Sequence, residues 1–241
     1  IVSQFENLSV DDIQGIVMIG DNIYVADADT AKIYGTALSL TQTYTTNPLA
    51  LAHGRGNDAD KIYILVEGDP SNWVIQVDAT TGAIENDYAA PRDGTGMAYV
   101  DGSLYFGDND SDPTKMLVLN PATGAETDSW NLQWPWGGDM WDNVTSVGTD
   151  GTDLVVGIAG RTCTFHYDTD GDPLDPGEVC NNKMVSGPKG ISMGSFAIGS
   201  KNNKVVATTS NGGTKYSTTL DDIEGQALVG SVLFLATDGD T

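Results

Sequence analysis

The fold is decided by a segment that occurs twice, near the two ends of the chain. Residues 10–26 read VDDIQGIVMIGDNIYVA, and residues 220–236 read LDDIEGQALVGSVLFLA. Each copy contains an acidic turn, a glycine, a short apolar run, a second glycine turn and a second apolar run. Short apolar runs separated by glycine turns indicate antiparallel strands. The segment therefore predicts the first two strands of a repeated β unit.

Weaker copies of this unit lie between the two, and their spacing predicts a β-propeller. Markers placed in the second apolar run of each copy lie 39, 42, 50, 51 and 28 residues apart. Short strands that recur about every 40 residues are typical of four-stranded propeller blades. A β-sandwich is the alternative, but it does not predict such a repeat. The markers are Ile23, Ile62, Leu104, Leu154, Val205 and Leu233.

We therefore expect an all-β chain that folds as a six-bladed β-propeller with four-stranded blades, in one domain over residues 1–241. The last copy ends after its second strand, so the N-terminal strand or strands should complete the last blade. This closure would remove an open sheet edge. The approximate blade boundaries are 11–46, 47–92, 93–142, 143–186, 187–220, and 221–241 together with 1–10.

The strand sequences also resemble a known group of propellers. Residues 22–27 (NIYVAD), residues 73–78 (WVIQVD) and the Thr81-Gly82 turn that follows resemble the NHL/YVTN/SMP-30-like six-bladed β-propellers. That group includes lactonases, lyases, quinoprotein dehydrogenases and non-catalytic interaction modules. The resemblance therefore implies a fold and does not imply one chemistry.

The charge balance limits the partners. The chain has 34 Asp and Glu against 11 Lys and Arg, a formal net charge of −23. Such a surface repels nucleic-acid phosphates, so nucleic-acid binding is excluded and cationic partners are favoured. No apolar run is long enough for a transmembrane helix.

The two cysteines suggest where the protein functions. Cys163 and Cys180 lie at the ends of a predicted hairpin, and a disulfide between them would fit an exported protein. Two buried thiols are the alternative. We expect an extracellular or cell-surface location, with the periplasm also possible.

The segment from residue 130 to 143 contains four of the five tryptophans. In propellers like those that the chain resembles, the loops that join blades share a face with the loops between second and third strands. Indole rings near carboxylates suit a protein, a glycan or a cationic ligand. The alternative is a hydrophobic plug over the channel. The candidate ligand-binding residues are Trp134, Trp136, Asp139, Trp141, Asp142 and Asn143.

Two acidic loops are candidate Ca²⁺ sites, because hard cations bind carboxylate oxygens. The alternatives are a hairpin loop rich in Asp, Pro and Gly for the first and a solvated acidic rim for the second. The first loop offers Asp168, Asp170, Asp172 and Asp175, and the second offers Asp108, Asp110 and Asp112.

Catalysis receives weaker support from the sequence. The resemblance implies a divalent metal at the channel mouth, where Glu224 before Gly225 matches a Glu-Gly element of the SMP-30-like lactonases. Lys189 would oppose a cation there, and His53 and His166 fall on different parts of the repeat. We therefore expect a non-catalytic binding or surface-assembly module stabilised by Ca²⁺. The alternative is a metal-dependent hydrolase or lyase with its metal near Glu224.

Overall fold

The computed structural model describes residues 13–19, 22–44, 47–149, 152–159, 163–180, 191–193, 196–200, 204–209, 214–219, 223–229 and 232–237. The secondary structure in these residues is almost entirely β, apart from the short helix α1 (Leu40–Thr43) and a 3₁₀ turn at Gly56–Asp58. In this part of the chain no helix has the length and apolar character needed to cross a membrane.

The described strands form six antiparallel sheets, which we number 1 to 6 in chain order. Sheet 1 contains β1 (Ile13–Ile19), β2 (Asn22–Asp27) and β3 (Lys32–Tyr34). Sheet 2 contains β4 (Pro48–His53), β5 (Lys61–Val66), β6 (Trp73–Asp78) and β7 (Ile84–Ala89). Sheet 3 contains β8 (Met97–Val100), β9 (Ser103–Asp108), β10 (Lys115–Leu119) and β11 (Glu126–Asn131). Sheet 4 contains β12 (Val144–Thr149), β13 (Leu154–Ile158), β14 (Cys163–Tyr167) and β15 (Pro173–Cys180). Sheet 5 contains β16 (Ile191–Met193), β17 (Phe196–Ser200), β18 (Lys204–Thr209) and β19 (Thr214–Thr219). Sheet 6 contains β20 (Ile223–Val229) and β21 (Val232–Thr237).

The arrangement of these sheets is that of a β-propeller, as the repeat predicts. Within each sheet the strands pair in chain order, and the first strand of each sheet lies against the first strand of the next. Strand β20 also lies against β1.

The predicted number of complete blades is corrected. The described residues form four complete four-stranded blades, sheets 2 to 5, rather than six. Sheet 1 has three strands, because the chain after β3 turns into α1 and buries Leu40 in the core. Sheet 6 has the two strands that its sequence copy contains. The N-terminal segment predicted to complete the last blade, residues 1–10, lies outside the described residues.

One repeat marker was placed on the wrong strand. Val205 lies on β18, the third strand of sheet 5, whereas the sequence pattern assigned it to a second strand. The second strand is β17, which is separated from the three-residue β16 by only two residues. Two such short strands resemble one apolar run in the sequence, and this explains the short final spacing.

The hydrophobic core lies between neighbouring sheets. One cluster joins sheets 1 and 2 through residues such as Ile33 and Ile64. A second joins sheets 2 and 3, and a third joins sheets 3 and 4 around Phe165 and Tyr167. Strands that are buried on both faces require apolar side chains on both faces, as in the nearly continuous apolar run of β5.

The outer strands of sheets 2 and 3 are attached to the next sheet by the same device. The ring of Tyr88 on β7 covers Gly124 in the turn between β10 and β11. The ring of Trp130 on β11 covers Gly171 in the turn between β14 and β15. Both glycines have a positive φ, 69° and 93°, so backbone conformation and ring contact both require glycine there.

Candidate functional site

Two segments on one face of the propeller each join the outer strand of one sheet to the first strand of the next, and they differ in length. Junction 2/3 (residues 90–96) leads from β7 to β8, and junction 3/4 (residues 132–143) leads from β11 to β12. The first backbone N–H of each junction donates to a backbone carbonyl oxygen of the sheet that the chain is leaving. The acceptor is the residue directly before the third strand of that sheet. These bonds are Ala90 N to Asn72 O (2.7 Å) and Leu132 N to Thr114 O (2.9 Å).

The same two residues then hold the returning chain. Asn72 Nδ2 donates to Gly94 O at 3.0 Å, and Thr114 Oγ1 donates to Asp142 O at 3.0 Å. Gly94 follows Ala90 by four residues, whereas Asp142 follows Leu132 by ten. Between its two anchoring hydrogen bonds, junction 3/4 therefore contains six residues more than junction 2/3 does.

The longer chain forms a small β-hairpin, residues 132–141, which we call the Trp hairpin. Its two sides are joined by Met140 N to Leu132 O (2.8 Å), by Trp134 N to Gly138 O (3.0 Å) and by a bridge between Gln133 and Asp139. Leu132 and Met140 are fully buried, so they anchor the base of the hairpin in the core between sheets 3 and 4.

The turn of the hairpin follows directly from its sequence. Gly137 N donates to Trp134 O at 2.8 Å, which places Pro135 at the second position of a β-turn, where a fixed φ is favourable. Gly137 and Gly138 have φ values of 94° and 90°, a region that other residues rarely adopt. The Pro-Trp-Gly-Gly sequence therefore determines how Trp136 is presented.

An aromatic stack supports the tip. Trp134 and Trp136 are stacked with centroids 5.1 Å apart and 7° between their planes, and Trp134 meets the buried Phe165 edge-on at 5.2 Å. Trp136 is nevertheless 62% exposed, and Trp141 is 61% exposed. Exposed apolar patches mark interaction sites, so these two tryptophans are the candidate contact residues.

Sheet 4 supplies support that the sequence analysis did not identify. Phe165 and Tyr167 alternate on β14, and the Tyr167 hydroxyl donates to Gln133 O at 2.8 Å. Burial raises the pKa of Tyr167, so its phenol stays protonated and remains a donor. The alternation of aromatic residues in the sequence was the available signal for this support.

The predicted ligand-binding residues are thus partly assembled. Trp134, Trp136, Asp139 and Trp141 all lie within the hairpin. Asp139 is exposed, and the carbonyl of Asp142 accepts the Thr114 bond. The carbonyl of Asn143 accepts a bond from Ala159 N at 2.9 Å. Asp142 and Asn143 therefore both attach the hairpin to the fold through their backbones.

The acidic loop after β9 has a structural explanation. Asp108 is fully buried, and its carboxylate accepts bonds from Asp110 N (2.8 Å) and from the Ser111 hydroxyl. Asp110 Oδ2 accepts a bond from Asp93 N at 3.1 Å, and Asp112 is exposed. These carboxylates organise the loop, and Asp27 makes equivalent bonds in sheet 1. The carboxylate of Asp108 therefore accepts hydrogen bonds from within its own loop.

The acidic turn after β14 is likewise built on its first carboxylate. Asp168 Oδ1 accepts bonds from Asp170 N at 3.0 Å and from Asp172 N at 2.9 Å. Asp170 and Asp172 are exposed, and the side chain of Asp175 lies outside the described residues. Among the described side chains, no three His, Cys, Asp or Glu come together as a metal site. Calcium binding here stays a prediction.

The first strands of sheets 1, 2, 4 and 6 contain a β-bulge at the same place. The inserted residue is Gln14 in β1, Leu49 in β4, Thr145 in β12 and Glu224 in β20. A bulge redirects side chains and is frequent beside functional sites. The side chain of Glu224 lies outside the described residues, so its predicted metal role is untested.

The two histidines lie on different sheets, as predicted. His53 ends β4, and its Nε2 is 3.0 Å from Ala59 O, whereas His166 lies on β14. Burial lowers the pKa of His53.

The cysteines are paired in register. Cys163 on β14 lies directly opposite Cys180 on β15. Opposite residues in antiparallel strands have Cα atoms about 4.5–5.5 Å apart, a separation that a disulfide can span. Their side chains lie outside the described set, so the disulfide remains a prediction.

Comparisons with known proteins identify the fold and nothing finer. No family model and no curated protein matches the chain, so the resemblance to NHL/YVTN/SMP-30-like propellers has no further support.

Among solved structures, the chain is similar to a structure of a nidogen/laminin complex (TM-score 0.62, 15% identity, 89% of this chain and 82% of that one). It is also similar to the Pan2 WD40 domain of Neurospora crassa (0.56, 11%, 94% and 72%). A third similar structure is the glutaminyl cyclase of Myxococcus xanthus (0.53, 13%, 79% and 85%). Because a protein complex and an enzyme share this likeness, it establishes a β-propeller fold and does not establish a function.

Proposed function

We propose that the protein is an exported, non-catalytic β-propeller that binds a protein partner through the Trp hairpin. The observation that carries this proposal is the difference between the two junctions. Junction 2/3 spans the equivalent pair of anchoring hydrogen bonds with six residues fewer, so the fold does not require the hairpin. The hairpin exposes Trp136 and Trp141 instead of burying them, which is unfavourable without a partner.

The proposal includes a closed ring of six blades. Its support is that β20 lies against β1 and that the first strands of all six sheets are neighbours in succession. In this arrangement the N-terminal residues 1–10 would add to sheet 6 and complete it. A ring that is closed in this way provides a rigid base for the Trp hairpin.

A protein partner is favoured over other ligand classes. The nidogen/laminin structure, which is similar in fold, is a complex between two proteins. Tryptophan is enriched among the residues that contribute most to protein–protein binding. The net charge of −23 argues against nucleic acid.

Export is proposed on the register of the two cysteines. A disulfide between Cys163 and Cys180 would close a loop of about 17 residues and stabilise the fold by about 3 kcal/mol. Alkylation of the native protein without reductant, followed by mass measurement, should leave both cysteines unmodified. Two alkylated thiols would contradict the disulfide and weaken the proposed export.

Peptide display tests the binding surface. Peptides selected on the immobilised protein should lose binding to a W136A/W141A double variant. The matched control is Trp73→Ala, since Trp73 is a partly buried tryptophan on β6 of sheet 2. Selected peptides that bind the parent and the double variant equally would contradict the proposed surface.

A further inference from the structure

The exposed face of Trp136 is a rigid platform. Trp134 packs against one face of this indole, and Trp134 itself rests on the buried Phe165. The turn behind it contains Pro135, whose ring restricts φ, and two glycines that permit the positive φ values the turn needs. A ligand that covers Trp136 therefore meets a surface whose ordering entropy has already been lost on folding, and this favours affinity.

The described loops on the face that carries this platform are rich in carboxylates. Asp139 lies on the returning side of the hairpin, directly after Gly138, and is exposed. The described loops on the same face contribute further exposed carboxylates, against the single exposed guanidinium of Arg92. These carboxylates belong to Asp29, Glu67, Asp69, Asp93, Asp110 and Asp112.

An exposed indole on an acidic face favours cations. The face of a tryptophan ring is its electron-rich side, and it attracts ammonium and guanidinium groups more strongly than tyrosine or phenylalanine does. A planar guanidinium can also stack on the ring while its N–H groups bind a carboxylate. The acidic face would accelerate the approach of such a ligand and repel an anionic one.

We propose that the Trp hairpin binds a basic segment of a partner protein, with an Arg or Lys side chain over Trp136 and Asp139 as its counter-charge. This inference rests on the proposed function and specifies the chemistry of the partner. The proposal is supported by the acidic character of this face, which favours a cation, and by the stacked and exposed indole of Trp136.

The test measures the binding of labelled oligo-arginine, oligo-lysine and oligo-glutamate peptides by fluorescence anisotropy at an ionic strength of about 0.15 M. The arginine peptide should bind most tightly, and the glutamate peptide should not bind. Trp136→Ala should weaken arginine-peptide binding about tenfold, and Trp136→Phe should weaken it less. Asp139→Asn should also weaken it and reduce its dependence on salt.

The matched control is Asp128→Asn, which removes the same charge from an exposed position on the outer strand β11. This change should leave the affinity unaltered. Equal binding to the parent and to Trp136→Ala would show general attraction to an anionic protein and would overturn the inference. Asp139→Asn provides an independent variant if Trp136→Ala disturbs the hairpin.

Failure of this inference can be distinguished from failure of the proposed function. Suppose that display-selected peptides lose binding when the tryptophans are replaced but are neutral or acidic in sequence. The proposed preference for a basic partner is then wrong, and the proposed binding surface is retained. If a neutral cello-oligosaccharide binds at Trp136 and no peptide does, both are wrong. If no ligand depends on the tryptophans, the proposed surface itself is wrong.

Discussion

Junctions 2/3 and 3/4 differ at their tips and agree at their bases. In both, the first N–H donates to the residue before a third strand, and the side chain of that residue holds the returning carbonyl. In both, an aromatic ring on the outer strand covers a glycine of the next sheet. Only junction 3/4 adds a hairpin with an exposed tip. The comparison separates residues that the propeller requires from residues that are free to serve recognition.

The largest expected effect comes from the two glycines that are covered by the rings of Tyr88 and Trp130. Gly124→Ala and Gly171→Ala should each lower the free energy of unfolding by about 3 kcal/mol, because a Cβ would overlap the covering ring and the positive φ would be strained. Chemical denaturation would measure both variants.

The control for these variants is Gly102→Ala. Gly102 has a φ of 83° and no neighbouring atom near the position of a Cβ, so it reports the backbone strain alone, about 1 kcal/mol. If all three variants were equally destabilised, the ring contact would contribute nothing and the two junctions would not share a device.

The next effect separates the two stacked tryptophans. Trp134→Ala should destabilise the protein by about 2 kcal/mol, because Trp134 packs against the core cluster and Phe165. Trp136→Ala should lower the stability by less than about 1 kcal/mol, because its ring is mostly exposed. Denaturation of both variants would check this, and an equal loss would favour the hydrophobic plug.

A smaller effect is a pH dependence of stability that Tyr88 should produce and Trp130 should not. The Tyr88 hydroxyl donates to Pro121 O at 3.2 Å, and burial raises the pKa of Tyr88, whereas the equivalent Trp130 does not titrate. The unfolded chain therefore loses this proton first, and the stability from Tyr88 is complete below about pH 10 and falls as the pH rises further.

The test of this pH effect is Tyr88→Phe. At neutral pH the variant should be less stable by about 1 kcal/mol, since one hydrogen bond is lost. The difference from the parent should shrink between about pH 10 and pH 12. Parallel stability curves over this range would contradict the role of Tyr88.

The smallest effect concerns calcium and the turns beneath the two rings. The turn under Trp130 contains the exposed Asp170 and Asp172, whereas the turn under Tyr88 is held by Asn120, whose Oδ1 accepts a bond from Ala122 N. Ca²⁺ at millimolar concentration should raise the melting temperature slightly, and Mg²⁺ less. Asp170→Asn should reduce this rise and Asp128→Asn should not. Identical melting in chelator and Ca²⁺ would contradict calcium binding.

The repeat made the β-propeller predictable, because period and glycine turns report local strand structure. The sequence also predicted Trp134, Trp136 and Asp139 as candidate ligand-binding residues, and all three lie in the Trp hairpin. The features that the sequence did not predict depend on contacts between distant segments of the chain. Phe165 and Tyr167 support the hairpin from another sheet, and Asp108 is buried with hydrogen bonds from Asp110 N and the Ser111 hydroxyl. Spacing alone did not separate the short β16 and β17, and it therefore misplaced Val205.

The central claim is that the Trp hairpin is an addition that the propeller does not need. The direct test is the thermal unfolding of a variant in which residues 134–138 are replaced by Asn-Gly, a two-residue turn that can close the retained Gln133–Asp139 bridge. This variant keeps the buried Leu132 and Met140. It should unfold in one cooperative transition, with a melting temperature about 5–10 °C below the parent because the Trp134 packing is lost. Loss of the cooperative transition would contradict the claim and identify the hairpin as a structural plug.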